Sequence, residues 1–305
     1  MDVIRCTDEI KSYINGRKTA VALGAFDGLH IGHRAVIDKA LQSGLFPVVF
    51  TFRDNPAEVL TGSCRYLTTV EERLRILESW GVQAVVMPDF RNVAGWEPER
   101  FLNMLHTDLC AKQVSCGVDF SFGKKAAGNT KLLGSFCEEH DIVLRITDAV
   151  LYKNERVSST RIRNAMENGD MEAVTAMLGR PFSFEFEVVH GNHLGRTSGI
   201  PTINQTFPEQ FILPRFGVYA SAVYVDGNVY CGVTNVGVKP TVGSERALSE
   251  TWMPDFSGDL YGKTLRLELL GFIRDEKKFP SLEALRSVIE ENAVTAREIF
   301  RQRMK

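Results

Sequence analysis

The chain of 305 residues has few of the features that mark secreted, membrane-spanning or nucleic-acid-binding proteins. No apolar run approaches the ~20 residues that a transmembrane helix needs, and the first residues lack the apolar core of a signal peptide. The formal net charge is only −2, so we expect no basic footprint for nucleic acid. Repeats and low-complexity segments are absent as well. These absences favour a globular cytoplasmic protein with no nucleic-acid or membrane partner.

Cysteine usage points the same way. The six cysteines are scattered, no Cys-x-x-Cys pair occurs, and no cysteine/histidine group has zinc spacing. We therefore expect reduced thiols, several of them buried as small hydrophobic side chains.

Length and periodicity indicate two domains, because 305 residues are many for one core. The first half alternates apolar runs, such as residues 19–23 and 47–52, with segments of helical spacing, such as the one that Thr69 is expected to cap. This alternation predicts an α/β domain in which helices cover a parallel sheet. Ligands of such sheets bind at the carboxyl ends of the strands.

The second half changes to a period of two. Apolar and polar residues alternate over residues 184–188, 218–224 and 265–269, which predicts antiparallel strands that close into a small barrel. A final amphipathic helix follows. We place the boundary near residues 179–181, so that the domains are 1–181 and 182–305, and we expect 182–305 to fold by itself.

Residues 24–33 read Gly-Ala-Phe-Asp-Gly-Leu-His-Ile-Gly-His, between a predicted strand and a predicted helix. Glycines let the backbone close on a ligand, and the N–H groups of a helix N-terminus favour anions. Two imidazoles there, His30 and His33, suit nucleotide phosphates. The turn is neither a Walker loop nor a Rossmann Gly-x-Gly-x-x-Gly motif, and it resembles the His-x-Gly-His signature of the nucleotidyltransferase superfamily. A simple helix cap is the alternative for the bare tetrad.

Two further segments of the first half carry candidate chemistry. Residues 117–123 read Gly-Val-Asp-Phe-Ser-Phe-Gly, where aromatic rings could frame a flat ligand and Asp119 could accept hydrogen bonds. Taken alone, an ordinary turn with core phenylalanines is the better interpretation. Residues 156–163 read Arg-Val-Ser-Ser-Thr-Arg-Ile-Arg, whose hydroxyls and arginines suit phosphate oxygens. A solvated basic helix start is the alternative.

The second half offers a phosphoryl-transfer site. A glycine-rich stretch that contains Arg196 leads into Pro-Thr-Ile-Asn, in which Thr202 and Asn204 supply the hard oxygen atoms that Mg²⁺ prefers. The alternative is a turn whose side chains cap their own backbone. Phosphoryl transfer to an alcohol needs a base near the hydroxyl, and Glu250 is the candidate, although an isolated glutamate is usually solvated.

Together these motifs, with Gly-Val-Tyr-Ala at 217–220, Gly-Val-Thr-Asn-Val-Gly at 232–237 and Asp-Leu-Tyr-Gly at 259–262, identify a resemblance. From residue 21 to about residue 296 the chain resembles the bacterial bifunctional riboflavin kinase/FMN adenylyltransferases. The resemblance implies a Rossmann-like nucleotidyltransferase domain with a parallel sheet, then a small antiparallel β-barrel riboflavin kinase domain with a C-terminal helix. It implies that Mg²⁺ and ATP convert riboflavin to FMN, and that a second ATP adenylylates FMN to FAD with release of pyrophosphate.

The resemblance also implies residue roles. His30 and His33 would contact the ATP phosphates, and Glu250 would accept the proton of the ribityl hydroxyl. Thr202 and Asn204 would bind Mg²⁺ and phosphates. The other implied adenylyltransferase site residues are Gly24, Phe26, Asp27, Gly28, Asp119, Arg156, Ser159, Thr160 and Arg163. The other implied kinase site residues are Gly195 and Arg196 in the glycine-rich flap and Arg274 on the flavin side.

One departure leaves alternatives open. Asp54 stands where the family commonly has a proline, and we expect the loss of that rigid turn to loosen the flavin side of the adenylyltransferase pocket. Its presence is the only support for a monofunctional riboflavin kinase with an impaired adenylyltransferase domain. A non-enzymatic flavin-nucleotide sensor is the other alternative. It predicts erosion of Glu250 or of Thr202 and Asn204, which the sequence retains.

Overall fold

The computed structural model describes residues 1–62, 64–190, 200–241, 244–277 and 279–304. The chain divides into two compact units, Met1–Ser159 and Thr160–Lys305. By this division, the helices between residue 159 and residue 181 belong to the second unit.

The first unit is built on a parallel sheet. Its strands are β1 (Asp2–Ile4), β2 (Thr19–Leu23), β3 (Phe46–Phe50), β4 (Ala84–Val86), β5 (Ala111–Gly117), β6 (Ser121–Phe122), β7 (Gly128–Asn129), β8 (Val143–Thr147), β9 (Leu151–Tyr152) and β10 (Glu155–Arg156). Six of them form one sheet in the order β1-β4-β3-β2-β5-β8, and the other four form two short antiparallel pairs. The chain leaves β2 for β3 on one side and returns to β5 on the other. The carboxyl end of β2 is therefore the switch point at which such sheets bind ligands.

Helices connect the strands of this unit. They are α1 (Ile10–Ile14), α2 (Ile31–Leu41), α3 (Pro56–Thr61), α4 (Val70–Ser79), α5 (Phe90–Val93), α6 (Pro98–Asn103) and α7 (Thr130–Glu139). Thr69 caps α4 as predicted, because its Oγ1 accepts a hydrogen bond from Glu72 N at 3.1 Å.

Alternate residues of β2 enter two different apolar layers. Val21 and Leu23 pack in one cluster with Phe50, whereas Ala20 and Ala22 pack in another on the opposite face. Because successive strand side chains alternate between faces, the whole of β2 is buried. The predicted parallel sheet covered on both faces is confirmed.

The second unit joins two helices to a closed barrel. Helix α8 (Ser159–Glu167) begins at the last residue of the first unit, and α9 (Met171–Leu178) follows. The strands are β11 (Phe182–Val189), β12 (Thr202–Thr206), β13 (Gly217–Val225), β14 (Asn228–Thr241), β15 (Ser244–Trp252) and β16 (Thr264–Arg274). They close in the order β11-β12-β15-β14-β13-β16, with every pairing antiparallel. The predicted barrel is confirmed.

Helix α10 (Leu282–Arg303) covers part of the outer wall of the barrel. Its Ala293 and Ala296 pack with Val218, Ala220 and Leu270. Helix α9 packs against β11 and β16. In the described part of the chain, no helix combines the length and the apolar composition that crossing a bilayer requires.

Candidate active site

The turn that follows β2 has an unusual backbone. Phe26 and Leu29 have φ values of 51° and 43°, and Gly28 between them has a φ of 81°. Phe26 and Leu29 are both buried. A left-handed backbone conformation at a non-glycine residue destabilises the fold by on the order of 1–3 kcal/mol, and it persists only where surrounding contacts hold it. The turn therefore depends on contacts from other segments.

Several side chains and backbone groups hold this turn. The carboxylate of Asp27 accepts a hydrogen bond from Leu67 N at 3.0 Å, and Gly28 N donates to Thr68 Oγ1 at 3.4 Å. Ser159 Oγ donates to the carbonyl of Asp27 at 2.9 Å. Gly24 N donates to Phe50 O at 3.3 Å. The side chain of Asp27 thus helps to fix the turn, and its implied role in lining the nucleotide site stays a prediction.

His30 caps helix α2. Its Nδ1 accepts a hydrogen bond from His33 N at 3.2 Å, so the neutral ring carries its proton on Nε2. The rings of His30 and His33 stack with their centroids 3.5 Å apart. Gly32 allows this, because a Cβ there would lie 3.1 Å from His30 Cε1. The two imidazoles and the positive end of α2 thus lie together at the carboxyl end of β2.

Asp119 and Arg156 form an ion pair at the ends of β5 and β10. Arg156 NH2 donates to Asp119 Oδ2 at 2.7 Å, and both side chains are exposed. Phe122 is buried and packs on Phe101 with ring centroids 5.1 Å apart, as a core residue does. Phe120 is half-buried.

Ser159 starts helix α8, and Thr160 and Arg163 follow within its first turn and a half. Thr160 is exposed and Arg163 is half-buried, while Ile162 is fully buried. Thr160 therefore lies on the exposed side of the helix, whereas Ser159 is half-buried and donates to the carbonyl of Asp27.

Side-chain contacts restrain the loop after β3, where the family commonly has a proline. Asp54 Oδ1 accepts a hydrogen bond from Phe90 N at 2.5 Å. Arg53 pairs with Asp89 at 2.5 Å, and Arg53 N donates to Pro88 O at 3.0 Å. These contacts tie the loop to the start of α5. The expected loosening of this side of the pocket stays a prediction, and these restraints oppose it.

In the barrel, strand pairing places three polar residues in one row. Asn204 on β12 is the direct partner of Glu250 on β15, and Glu250 is the direct partner of Asn235 on β14. Directly paired residues project from the same face of a sheet. Thr202 lies on that face too, because it is two residues from Asn204. The structure thus brings Thr202, Asn204 and Glu250 together on one face of the barrel wall.

Further polar residues near the end of β16 lie beside the row of Asn204, Glu250 and Asn235. Asn235 Nδ2 donates to Glu276 Oε1 at 3.0 Å. Arg274 Nε donates to Asn292 Oδ1 of α10 at 3.3 Å, and its guanidinium lies 5.5 Å from the ring centre of Phe279. Desolvation lowers the pKa of Arg274, whereas the negative charge of Glu276 acts to raise it. Gly195 and Arg196 lie outside the described residues.

A chain of hydroxyls joins three strands at this level of the barrel. Thr234 Oγ1 lies 2.7 Å from Ser221 Oγ and 2.8 Å from Thr251 Oγ1, and all three residues are buried. Thr251 follows Glu250 and projects from the opposite face of β15. These hydrogen bonds therefore fix the strand that carries Glu250.

Thr202 and Asn204 suit Mg²⁺ by their donor chemistry. Both side chains present neutral oxygen atoms, and neither has a hydrogen-bond partner among the residues that the structure describes. In the described ranges, no group of three His, Cys, Asp or Glu side chains could hold a metal. Mg²⁺ fits such a sparse set because it keeps waters and substrate phosphates as ligands.

Some residues at these sites were not predicted from the sequence. Arg73 and Thr51 both donate to the carbonyl of Ala25. Arg73 could have been found, because it falls between Val70 and Leu77 on the apolar face of α4. Glu276 had no such signal, because only the pairing of distant strands brings it to Asn235.

Comparisons with known proteins match both units. Residues 13–161 match the family model described as FAD synthetase, and residues 178–300 match the model described as riboflavin kinase. Similar curated proteins are the bifunctional riboflavin kinase/FMN adenylyltransferases of Listeria monocytogenes, Bacillus subtilis and Escherichia coli K12. They are 32%, 33% and 34% identical to the chain, respectively. The matches cover 92%, 93% and 92% of this chain and the same percentages of the relatives' own lengths.

A solved structure described as a macrolide-efflux protein from Streptococcus pneumoniae is similar along nearly the whole chain. It has a TM-score of 0.86 and 29% sequence identity, and the match covers 97% of this chain and 98% of that one. The two-part architecture of this chain therefore occurs in a known structure.

Proposed function

Because the chain belongs to the bifunctional riboflavin kinase/FMN adenylyltransferase family, we propose that His30 and His33 serve adenylyl transfer and that Glu250 serves riboflavin phosphorylation. The protein is an enzyme that phosphorylates riboflavin with ATP and adenylylates the resulting FMN to FAD. We assign adenylyl transfer to residues 1–181 and phosphorylation to residues 182–305. The observation that supports this assignment is that His30 and His33 fall in the segment matched by the FAD synthetase model, whereas Thr202, Asn204 and Glu250 fall in the segment matched by the riboflavin kinase model.

In adenylyl transfer, a phosphate oxygen of FMN attacks the α-phosphorus of ATP, and the bond to the β-phosphate oxygen breaks to release pyrophosphate. Charge builds on the phosphate oxygens in this step. His30 suits their stabilisation because its Nδ1 is engaged by a backbone N–H, so its Nε2–H is the donor. The N-terminus of α2 adds backbone N–H groups beside it. Ser159, Thr160, Arg156 and Arg163 are assigned to the phosphates.

In phosphorylation, the ribityl hydroxyl of riboflavin attacks the γ-phosphorus of ATP, and ADP leaves. We assign acceptance of the hydroxyl proton to Glu250, and its position in one row with Asn204 and Asn235 supports this assignment. Thr202 and Asn204 would hold Mg²⁺, which neutralises phosphate charge when it is bound. Arg274, held by Asn292, is assigned to the flavin side.

Two substitutions, one at each proposed site, test the assignment when both activities are measured for each variant. Riboflavin or FMN is supplied with ATP and Mg²⁺, and riboflavin, FMN and FAD are separated by chromatography. We expect His30→Ala to slow FAD formation by ~10²–10³-fold and to leave FMN formation intact. We expect Glu250→Gln to slow FMN formation by ~10²–10⁴-fold and to leave FAD formation from FMN intact. Equal loss of both activities in either variant would contradict two separate sites.

A further inference from the structure

The first unit contains a buried arginine with no carboxylate partner among the described residues. Arg73 lies on α4 with 6% of its surface exposed. Its Nε atom makes no hydrogen bond within the described part of the chain. Desolvation lowers the pKa of its guanidinium, and the charges of Asp27, Asp54 and Glu71 act in the opposite direction. Burying a charge in this way is costly, so its contacts indicate what the residue does.

Arg73 joins the two loops that border the carboxyl end of β2. Its NH1 donates to the carbonyl of Ala25 at 3.4 Å, and its NH2 donates to the carbonyl of Arg53 at 3.0 Å. We call residues 24–33, which follow β2 and contain His30 and His33, the histidine turn. Ala25 precedes Phe26, the first residue of this turn with a left-handed backbone. Arg53 lies in the loop after β3, beside Asp54. A planar guanidinium presents its donors in a rigid fork that sets the separation of the two carbonyls, whereas an ammonium is a point charge on a flexible stem.

A second buried donor acts on the same carbonyl. Thr51 Oγ1 donates to Ala25 O at 2.9 Å, and Thr51 is fully buried. The backbone of Thr51 is itself fixed, because its N–H donates to Val86 O of β4 at 2.9 Å. The carbonyl before the strained turn is thus held from α4 and from the segment after β3.

We propose that Arg73 is a positioning residue for adenylyl transfer: it fixes the histidine turn relative to the loop after β3, with Thr51 as its partner on the shared carbonyl of Ala25. This inference rests on the proposed function of the first unit. Strained backbone at a functional site persists only where its surroundings over-determine it. Without the two donors, the carbonyl of Ala25 loses its side-chain contacts. We expect the turn and the imidazoles of His30 and His33 to shift, even though Asp27 and Gly28 keep their own hydrogen bonds.

The test compares Arg73→Met and Arg73→Lys in the full chain. The wild-type protein is measured first, because failure of the wild type to convert FMN to FAD would refute the proposed function rather than the role of Arg73. We expect Arg73→Met to lower kcat for FAD formation by about 10²-fold, since displacement of reacting groups by about 1 Å has that effect. Arg73→Lys keeps the charge but lacks the rigid planar fork of donors, so we expect it to recover only part of the loss.

Two readouts separate positioning from stability alone. FMN formation by the same sample reports on the second unit, and circular dichroism with a thermal melt reports on folding. Arg145→Met is the matched control, because Arg145 is exposed on the edge strand β8. We expect it to form FAD at the wild-type rate. If Arg73→Met melts lower but keeps the wild-type kcat at temperatures where it is folded, the proposal is overturned.

A second variant keeps the proposal testable should Arg73→Met fail to fold. Thr51→Val removes the hydroxyl on Ala25 O and conserves side-chain volume. We expect it to lower kcat for FAD formation in the same direction, by about tenfold, and to leave FMN formation unchanged. In the double variant with Arg73→Lys, the loss of transition-state stabilisation should differ from the sum of the two single losses, because both side chains act on one acceptor. A wild-type kcat for Thr51→Val, or strict additivity of the pair, would overturn the proposal.

Discussion

The role of helix α9 predicts how the second unit behaves when it is cut from the rest of the chain. Helix α9 packs against β11 and β16 and buries Met171, Val174, Met177 and Leu178. A fragment of residues 160–305 keeps this helix, whereas a fragment of residues 182–305 lacks it. We expect the shorter fragment to fold by itself, but it lacks an apolar layer that the longer fragment has.

The magnitude follows from the burial of these four side chains. Each contributes about 1.5–3 kcal/mol when fully buried, so α9 stabilises the unit by about 6–12 kcal/mol at most. Residual compactness of the unfolded chain reduces this by roughly 10–40%. Domains are stable by only about 5–15 kcal/mol in total. Loss of α9 therefore removes a large part of the free energy of unfolding.

The assay compares melting and activity of the two fragments. We expect residues 160–305 to melt cooperatively in circular dichroism and to phosphorylate riboflavin, and residues 182–305 to melt more than about 10 °C lower. In the full chain, Met177→Ala should cost about 2–5 kcal/mol. The exposed Glu172 on the same helix is the control, and Glu172→Ala should change stability by less than about 0.5 kcal/mol. Equal melting temperatures for the two fragments would refute this reasoning.

Three further predictions follow from single sites. Gly32→Ala should slow FAD formation and spare FMN formation, because a Cβ there would lie 3.1 Å from the ring of His30; unchanged FAD kinetics would mean that the stacked rings tolerate displacement. Asn204→Ala should raise the Mg²⁺ concentration that half-maximal FMN formation requires, and an unchanged Mg²⁺ dependence would remove Asn204 from the metal site. Burial raises the pKa of the Cys116 thiol to about 12, so at pH 8 it is almost wholly protonated and should react with a thiol reagent only after unfolding. The exposed Cys6 should react at once in the native protein, and rapid reaction of Cys116 would contradict its burial.

Local sequence patterns predicted the class of both units and several of their elements in the right order. Period and local chemistry are short-range properties, and they predicted the buried strand β2, the cap at Thr69 and the alternating strands of the barrel. The histidine turn was also recognisable, because its glycines and imidazoles lie within ten consecutive residues. Candidate site residues within one segment, such as His30 with His33 and Thr202 with Asn204, needed no tertiary information.

Which distant groups meet depends on how the elements pair and pack. Asn204, Glu250 and Asn235 share a row because β12, β15 and β14 pair in one register, and a slip of one residue would turn Glu250 to the other face. Arg73 reaches Ala25, 48 positions earlier in the chain, only because α4 packs beside the carboxyl end of β2. The side chain of Asp54 binds Phe90 N across a gap of 36 residues. Such contacts depend on strand order and packing, which the local pattern of any one segment does not encode.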